Sequence, residues 1–363
     1  MTPVLFQSFL MGGFECSSHR DMSGRRLDLV SSTQHDRFAL RDYQRLADNG
    51  ILTARDGVRW HLIETKPFHY EFSSLEAQVA AAREAGVQII WDLFHYGFPD
   101  DLDMFSNGFP ERFCQFAIAV CKYLAEQLGP NIVVCPVNEI SFFSWIAGKK
   151  GMFAPFRKGK APELKHVLIE CGIKASAAIR RMLPEAKIMF TDPAIHVVPR
   201  ENTAAARRAA ESYRLAQFEA FDALFKEDPE STNIIGLNYY FHNQWRHPSR
   251  RKIPRGHREY RPFREIIAEY YERYKKPILV AETGIEDDER PDWFRYVCDE
   301  VAAARELGIP VVGICLYPIV NHPGWADDRH CHNGLWDYAD ETGHRDPYLP
   351  LLNELHRQSP RFA

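Results

Sequence analysis

The chain has 363 residues, of which 45% are hydrophobic and 13% aromatic, and carries a net charge of −4. Such a composition supplies a large core, and its charge balance asks for neither a nucleic-acid nor a membrane partner. At this length two domains are the default, with one large barrel as the main exception.

Taken in order, strand-like and helix-like segments alternate from end to end. Leu5–Phe14 reads as a strand and Arg37–Asn49 as a helix that stops at Gly50. Gly57–Ile63 reads as the second strand. The helix Ser73–Ala85 follows, with Ser73 or Ser74 as cap and Gly86 just past its end. Val87–Phe94 is a nearly continuous apolar run, as a strand covered on both faces should be. Then come helix Pro110–Leu128, strand Ile132–Val137, helix Pro162–Leu183, strand Ala186–Phe190 and a long helix Thr203–Lys226. Strand Asn233–Tyr240, helix Tyr260–Tyr274, strand Pro277–Ala281, helix Asp292–Leu307, strand Pro310–Leu316 and helix Tyr348–Arg357 complete the series. Eight βα units in strict alternation predict an α/β fold, a single (β/α)8 TIM barrel over residues 1–363. The long connections 97–109, 139–160, 241–259 and 317–347 each follow a strand, at the end where such barrels keep their sites.

Targeting and redox signals are sparse. Met1 to Gly13 is apolar but lacks a basic start, so it reads as a strand and not a signal peptide. No run approaches the ~18 apolar residues of a membrane span. The eight cysteines, Cys16, Cys114, Cys121, Cys135, Cys171, Cys298, Cys315 and Cys331, form no CxxC pair. Buried thiols in a reducing compartment explain them better than disulfides, and a soluble cytoplasmic protein is expected.

Polar groups recur where strands should end: Glu15, Arg59, His95, Asn138-Glu139, Asp192, Asn238-Tyr239-Tyr240, Glu282 and Tyr317. An ionised carboxylate beside a core needs a partner or a task, and Glu139 and Glu282 each close an apolar run. Two carboxylates meeting across one pocket are the minimum for cleaving a glycosidic bond with retention. Arg59 beside one of them would keep it ionised, and a drier site would raise the other so that it can donate a proton. Trp145 and Trp325 could stack on a sugar ring. The basic residues Arg246, Arg250, Arg251, Lys252, Arg255, Arg258, Arg261 and Arg264 read as a solvated rim, with binding of an anionic group as the alternative. Asp327, Asp328, His330, Cys331 and His332 lack standard zinc spacing, and no phosphate-binding glycine loop is present, so neither metal nor cofactor is expected.

Val137-Asn138-Glu139-Ile140 with Ser144-Trp145 resembles the acid/base segment of glycoside hydrolase family 1, in the clan of retaining (β/α)8 glycosidases. Asp92-Leu93-Phe94-His95-Tyr96 with Pro99 resembles that family's strand-3 motif, and Gly236-Leu237-Asn238-Tyr239-Tyr240 its strand-6 motif. Ala281-Glu282-Thr283-Gly284 resembles the nucleophile segment and Gly57-Val58-Arg59-Trp60 the arginine strand. The resemblance implies Glu139 as general acid/base and Glu282 as nucleophile. It also implies Arg59, His95, Asn138 and Tyr240 around the substrate, and the strand-end residues Glu15 and Tyr317 with the loop residue Trp325 are expected to bind substrate beside them. Thr283 stands where the family usually has asparagine. Glu15 or His19 stands in for the strand-1 glutamine, Tyr317 replaces a tryptophan, and Gly324 falls where a sugar-binding glutamate sits.

The expectation is an exo-acting retaining β-glycosidase for small β-glycosides, like a β-glucosidase or β-galactosidase, using two glutamates in a double displacement. A transglycosidase would use the same residues. A non-catalytic carbohydrate-binding barrel and a metal-dependent hydrolase built on His330 and His332 are the rivals. The sequence says nothing of oligomeric state.

Overall fold

The computed structural model describes residues 5–362; Met1–Val4, part of the apolar N-terminal stretch, and Ala363 lie outside. Eight parallel strands close into a barrel: β1 (Leu10–Gly13), β2 (Thr53–Gly57), β3 (Gln88–Asp92), β4 (Val133–Cys135), β5 (Lys187–Pro193), β6 (Ile234–Asn238), β7 (Ile278–Thr283) and β8 (Val311–Leu316). Each pairs with its sequence neighbours, and β8 closes on β1 through Leu10 opposite Ile314. The helices between them are α1 (His35–Asp48), α2 (Ser73–Ala85), α3 (Phe109–Leu128), α4 (Ala161–Met182), α5 (Ala204–Leu215), α6 (Glu219–Glu227), α7 (Phe263–Tyr274), α8 (Arg290–Glu306) and α9 (Leu349–Gln358). The predicted (β/α)8 barrel is thus the observed one.

Strand side chains alternate, so each strand feeds two cores. Inward, Met11, Ile90, Val133, Met189, Ile234, Leu279 and Cys315 fill the barrel as a plug. Outward, Ala54, Ile89, Trp91, Val134, Ile188, Phe190, Leu237 and Val280 join the layer between strands and helices. Truncating a plug residue such as Leu279 to alanine should cost about 2–5 kcal/mol, because a closed barrel cannot collapse around the cavity. The plug also gives the pocket above it a rigid floor.

Three local departures from the sequence reading have physical causes. The second strand is Thr53–Gly57, not Gly57–Ile63, and Trp60–Ile63 forms a helical turn instead. Every residue of Thr-Ala-Arg-Asp-Gly is buried, with Arg55 and Asp56 on opposite faces in ion pairs, so hydropathy conceals the strand. The helix expected over 203–226 breaks at a 3-10 turn, Ala216–Phe218, between α5 and α6. Helix α2 has the expected bounds and ends at Gly86 with φ +68, but neither Ser73 nor Ser74 caps it; Phe72 precedes its first residue.

Beyond the barrel, residues 196–199, 244–247 and 251–252 form a three-stranded sheet that joins the loops after β5 and β6. No helix among the described residues is long and apolar enough to cross a membrane.

Candidate active site

The mouth of the barrel holds a cleft of about 610 Å³ lined by Glu15, His95, Tyr96, Glu139, Tyr240, Glu282 and Trp325, among others. Arg55 is buried beneath it at the inward side of β2. Its guanidinium donates to Glu282 Oε1 at 2.7 Å, to Asp92 Oδ2 at 2.8 Å and to Asn138 Oδ1 at 2.6 Å. One planar cation therefore ties the ends of β3, β4 and β7 together, with the fork geometry that suits arginine and not lysine. Glu282 receives a second bond from the Tyr240 hydroxyl at 2.8 Å. Strand β7 shifts register against β6 between Val280 and Glu282, an irregularity that re-aims this carboxylate into the mouth.

Glu139 is held differently. Its backbone is left-handed, with φ +48, and so is that of Tyr96, with φ +69, whose hydroxyl donates to Glu139 Oε2. Two non-glycine residues in that region, at the two ends of one hydrogen bond, mark a geometry imposed by the surrounding structure. Gly97 follows Tyr96 because a Cβ there would lie 1.9 Å from Ser18 Oγ. Asn138 Nδ2 donates to the Tyr96 oxygen at 3.1 Å and contacts His95 Nε2 at 3.1 Å, while Asn138 Oδ1 also accepts from Thr191 at 2.6 Å. With Asn138 donating to Nε2, the His95 Nδ1 hydrogen points at Asp92, 2.8 Å away. The turn after Glu139 is fixed by Asp192, which accepts from the Ser141 amide at 3.0 Å and its hydroxyl at 2.5 Å. Burial raises the Asp192 carboxyl to about 6, against the opposing pull of Lys165 and these Ser141 bonds.

The two glutamates sit in unequal surroundings. Burial, reinforced by the negative charge of Glu282, pushes Glu139 well above the usual carboxylate range, and the Tyr96 bond only partly offsets this. Burial also raises Glu282, but the Arg55 charge and the Tyr240 bond oppose it. Of the two, Glu139 is pushed further toward holding a proton, and Glu282 has the better supported charge. The cleft thus holds two carboxyls whose surroundings push their proton affinities apart, an arrangement that suits proton donation by one and nucleophilic attack by the other.

The structure brings Glu15, His95, Glu139, Tyr240, Glu282 and Trp325 to the cleft wall. Glu15 accepts from the Ser17 amide at 3.0 Å and lies 3.9 Å from His95 Nε2. Trp325 stands edge-on to Tyr96, with ring centres 6.1 Å apart. Asn138 and Tyr317 lie behind the wall. Asn138 spends its amide on the network, and Tyr317 packs 5.4 Å from the Arg55 guanidinium. Gly13 permits that packing, since a Cβ would fall 2.1 Å from the tyrosine ring. His19 is buried against Phe153, with ring centres 3.7 Å apart, and burial lowers it to about 3.

Arg59 requires a correction. It pairs with Asp36 at 2.9 Å and Asp28 at 3.2 Å, away from the cleft, and Arg55 takes the position beside Glu282. The displacement follows from the misplaced second strand. Arg55 and Tyr96 are the residues that sequence reasoning missed. A charged pair inside Thr-Ala-Arg-Asp-Gly, bounded by strand-length spacing to its neighbours, was the available signal for the first. Tyr96 had none, because it lies past the strand end where period-2 alternation stops.

Two groups have metal-like spacing, Cys16 with Asp92 and His95, and His330 with His332 and Asp337, each with ligand atoms within 4.8 Å. Arg55 in direct contact with Asp92 opposes a cation at the first, and burial together with the Asp92 charge keeps the Cys16 thiol protonated. At the second, His330 Nε2 is occupied by Asp337 at 2.7 Å and His332 is exposed.

No protein-family model matches the chain. A beta-glucosidase from Thermotoga maritima in complex with glucoimidazole superposes with a TM-score of 0.79 at 15% identity, covering 98% of this chain and 97% of that one. A family 1 beta-glucosidase structure from the same organism gives 0.77 at 15% identity, over 97% and 96% of the two chains. A rice beta-glucosidase gives 0.76 at 14%, over 97% and 98%. In sequence, Beta-glucosidase 1B of Phanerodontia chrysosporium is 30% identical over 105 residues, a stretch spanning 24% of this chain and 19% of that protein. The fold is that of the family 1 beta-glucosidases.

Proposed function

We propose that the chain is an exo-acting retaining β-glycosidase of the family 1 type, with residues 1–363 as one catalytic domain. The observation that carries the reading is the asymmetry between Glu139, bonded by Tyr96 and raised by burial and by its neighbour's charge, and Glu282, bound by Arg55 and Tyr240. Glu282 attacks the anomeric carbon while Glu139 gives its proton to the departing glycosidic oxygen, leaving a covalent glycosyl-enzyme and a free alcohol. Glu139, now ionised, takes a proton from water, whose oxygen displaces Glu282 and releases the sugar with its original configuration. A second sugar hydroxyl in place of that water would give transglycosylation by the same residues. The eight buried free cysteines support a reducing, cytoplasmic setting.

The test is intact-protein mass after incubation with 2-deoxy-2-fluoro glycosides of several sugars, followed by peptide mapping. One sugar mass on Glu282 is expected, and the fastest-labelling sugar identifies the glycone. Glu282→Ala should lower turnover by on the order of 10⁴-fold or more. An adduct on another residue, or turnover with inversion of the anomeric centre, overturns the assignment. Saccharide binding without any labelling would favour the non-catalytic barrel.

A further inference from the structure

The cleft is polarised by charge. Its acids, Glu15, Glu139 and Glu282, belong to the barrel mouth, whereas Lys149, Lys165, Arg250 and Lys252 line it from the loop after β4, from α4 and from the small sheet. Lys165 is neutralised by Glu219 at 2.7 Å. Lys149, Arg250 and Lys252 take part in no ion pair among the described residues, although other arginines in the same stretch do. Arg246 pairs with Glu259, Arg261 with Glu269 and Arg264 with Glu300. The basic cluster of the sequence therefore contains paired arginines, arginines unpaired among the described residues but outside the cleft (Arg251, Arg255 and Arg258), and two unpaired cations that line it, Arg250 and Lys252.

Arg250 is held in place. It sits at the turn of the 244–252 hairpin with φ +56, its guanidinium 4.5 Å over the Trp145 ring and 5.5 Å from Trp245. It donates to the Tyr213 hydroxyl at 2.8 Å, which leaves most of its five N–H groups unspent. Lys252 stands 4.0 Å over Phe241. Flat aromatic faces beside positioned, unpaired cations suit a flat ligand with a negative group. The mouth's own carboxylates would repel that group, so the ligand enters sugar-first with its anion outward.

We propose that the leaving-group side of this cleft is built for an aryl aglycone bearing an anionic substituent such as a carboxylate, recognised by Arg250 with Lys252 and Lys149 and stacked on Trp145 or Trp245. The proposal rests on the glycosidase reading for its substrate, though not for its binding site. The probes are the 4-(carboxymethyl)phenyl β-glycoside and its neutral amide, which match in size and leaving-group acidity, together with the two free phenols.

For the wild-type enzyme the acid should exceed the amide in kcat/KM by about tenfold at low ionic strength, as two or three exposed charges supply. The preference should shrink toward unity near 0.5 M salt, where the screening length falls to roughly 4 Å. In Arg250→Gln/Lys252→Gln the acid-to-amide ratio should fall to about one. Calorimetric titration with the two phenols reads the same preference without turnover. Hydrolysis of both glycosides with no acid preference overturns this proposal and leaves the glycosidase intact. Tighter binding of the acidic phenol with no glycoside turned over supports the anionic site and overturns the glycosidase. A preference that survives in high salt or in the double variant also sinks the proposal.

Discussion

Arg55 and Asp56 are consecutive on β2, face opposite sides of the sheet, and each anchors a buried ionic cluster. On the helix side, Asp56 and Asp42 share His35, whose ring nitrogens lie 2.9 and 2.8 Å from them. Arg45 and Arg345 close on Asp42, and the Tyr43 hydroxyl, Gln78 amide and Gly57 N–H close on Asp56. Two acids there meet three basic groups. On the barrel side, Arg55 pairs with Asp92 and Glu282, while Glu15 and Glu139 line the same mouth without an arginine or lysine partner among the described residues. The outer cluster is saturated with partners. The inner one is short of positive charge, and burial with the Glu282 charge pushes the Glu139 carboxyl toward holding a proton that it can give away. Incomplete compensation separates a site from a staple.

The sharpest way to break this contrast is Arg55→Met. Turnover should fall by about 10³-fold, as on loss of a preorganised charge-stabilising donor. Stability should fall by about 3–5 kcal/mol, since Asp92 and Glu282 lose a buried partner. Turnover within tenfold of wild type would show that Arg55 does not hold the charge on Glu282. On the other face, His35→Phe should cost about 3–5 kcal/mol in a urea melt by the same logic, with kcat per folded molecule unchanged.

The outer cluster also has a pH signature. Burial alone would lower His35, but the Asp56 and Asp42 carboxylates outweigh it and raise the imidazole from 6.5 to about 9. A raised folded-state pKa stabilises fully below pH 6.5, and the contribution, about 3 kcal/mol, is lost as pH rises through 9. Urea midpoints between pH 6 and 10 should therefore decline in the wild type and flatten in His35→Phe.

Smaller effects sharpen the inner half. Tyr96→Phe removes a donor that holds Glu139 down, so the alkaline limb of kcat/KM should move to higher pH and kcat should drop by about tenfold. An unmoved limb would detach Tyr96 from the proton donor. Arg59→Ala should have the least effect on turnover, under about twofold, and cost about 1 kcal/mol, because its partners are partly exposed.

The barrel was legible because most strands are apolar runs spaced by amphipathic helices; Ile278–Thr283 and Val311–Leu316 fall within two residues of their expected bounds. Glu139 and Glu282 were legible as charges at the ends of such runs. β2 was not, because its burial is paid by ion pairs, which hydropathy scores as loop. Tyr96 depends on a left-handed backbone that no periodicity encodes. Lys149, Arg250 and Lys252 looked like the solvated arginines around them, since only the fold decides which carboxylates come within reach.

The small sheet over the mouth has a consequence for inheritance of specificity. Residues 196–199 pair in parallel with 244–247, and the Asn243 side chain bonds back to Ala194 and Asn238. The loops after β5 and β6 are thus one plate. A graft of residues 241–259 alone into another barrel would arrive without its partner strand and leave the host's edge unpaired. The unit that can be transplanted, by recombination or by an engineer, is both loops together, and insertions in one should be answered by changes in the other.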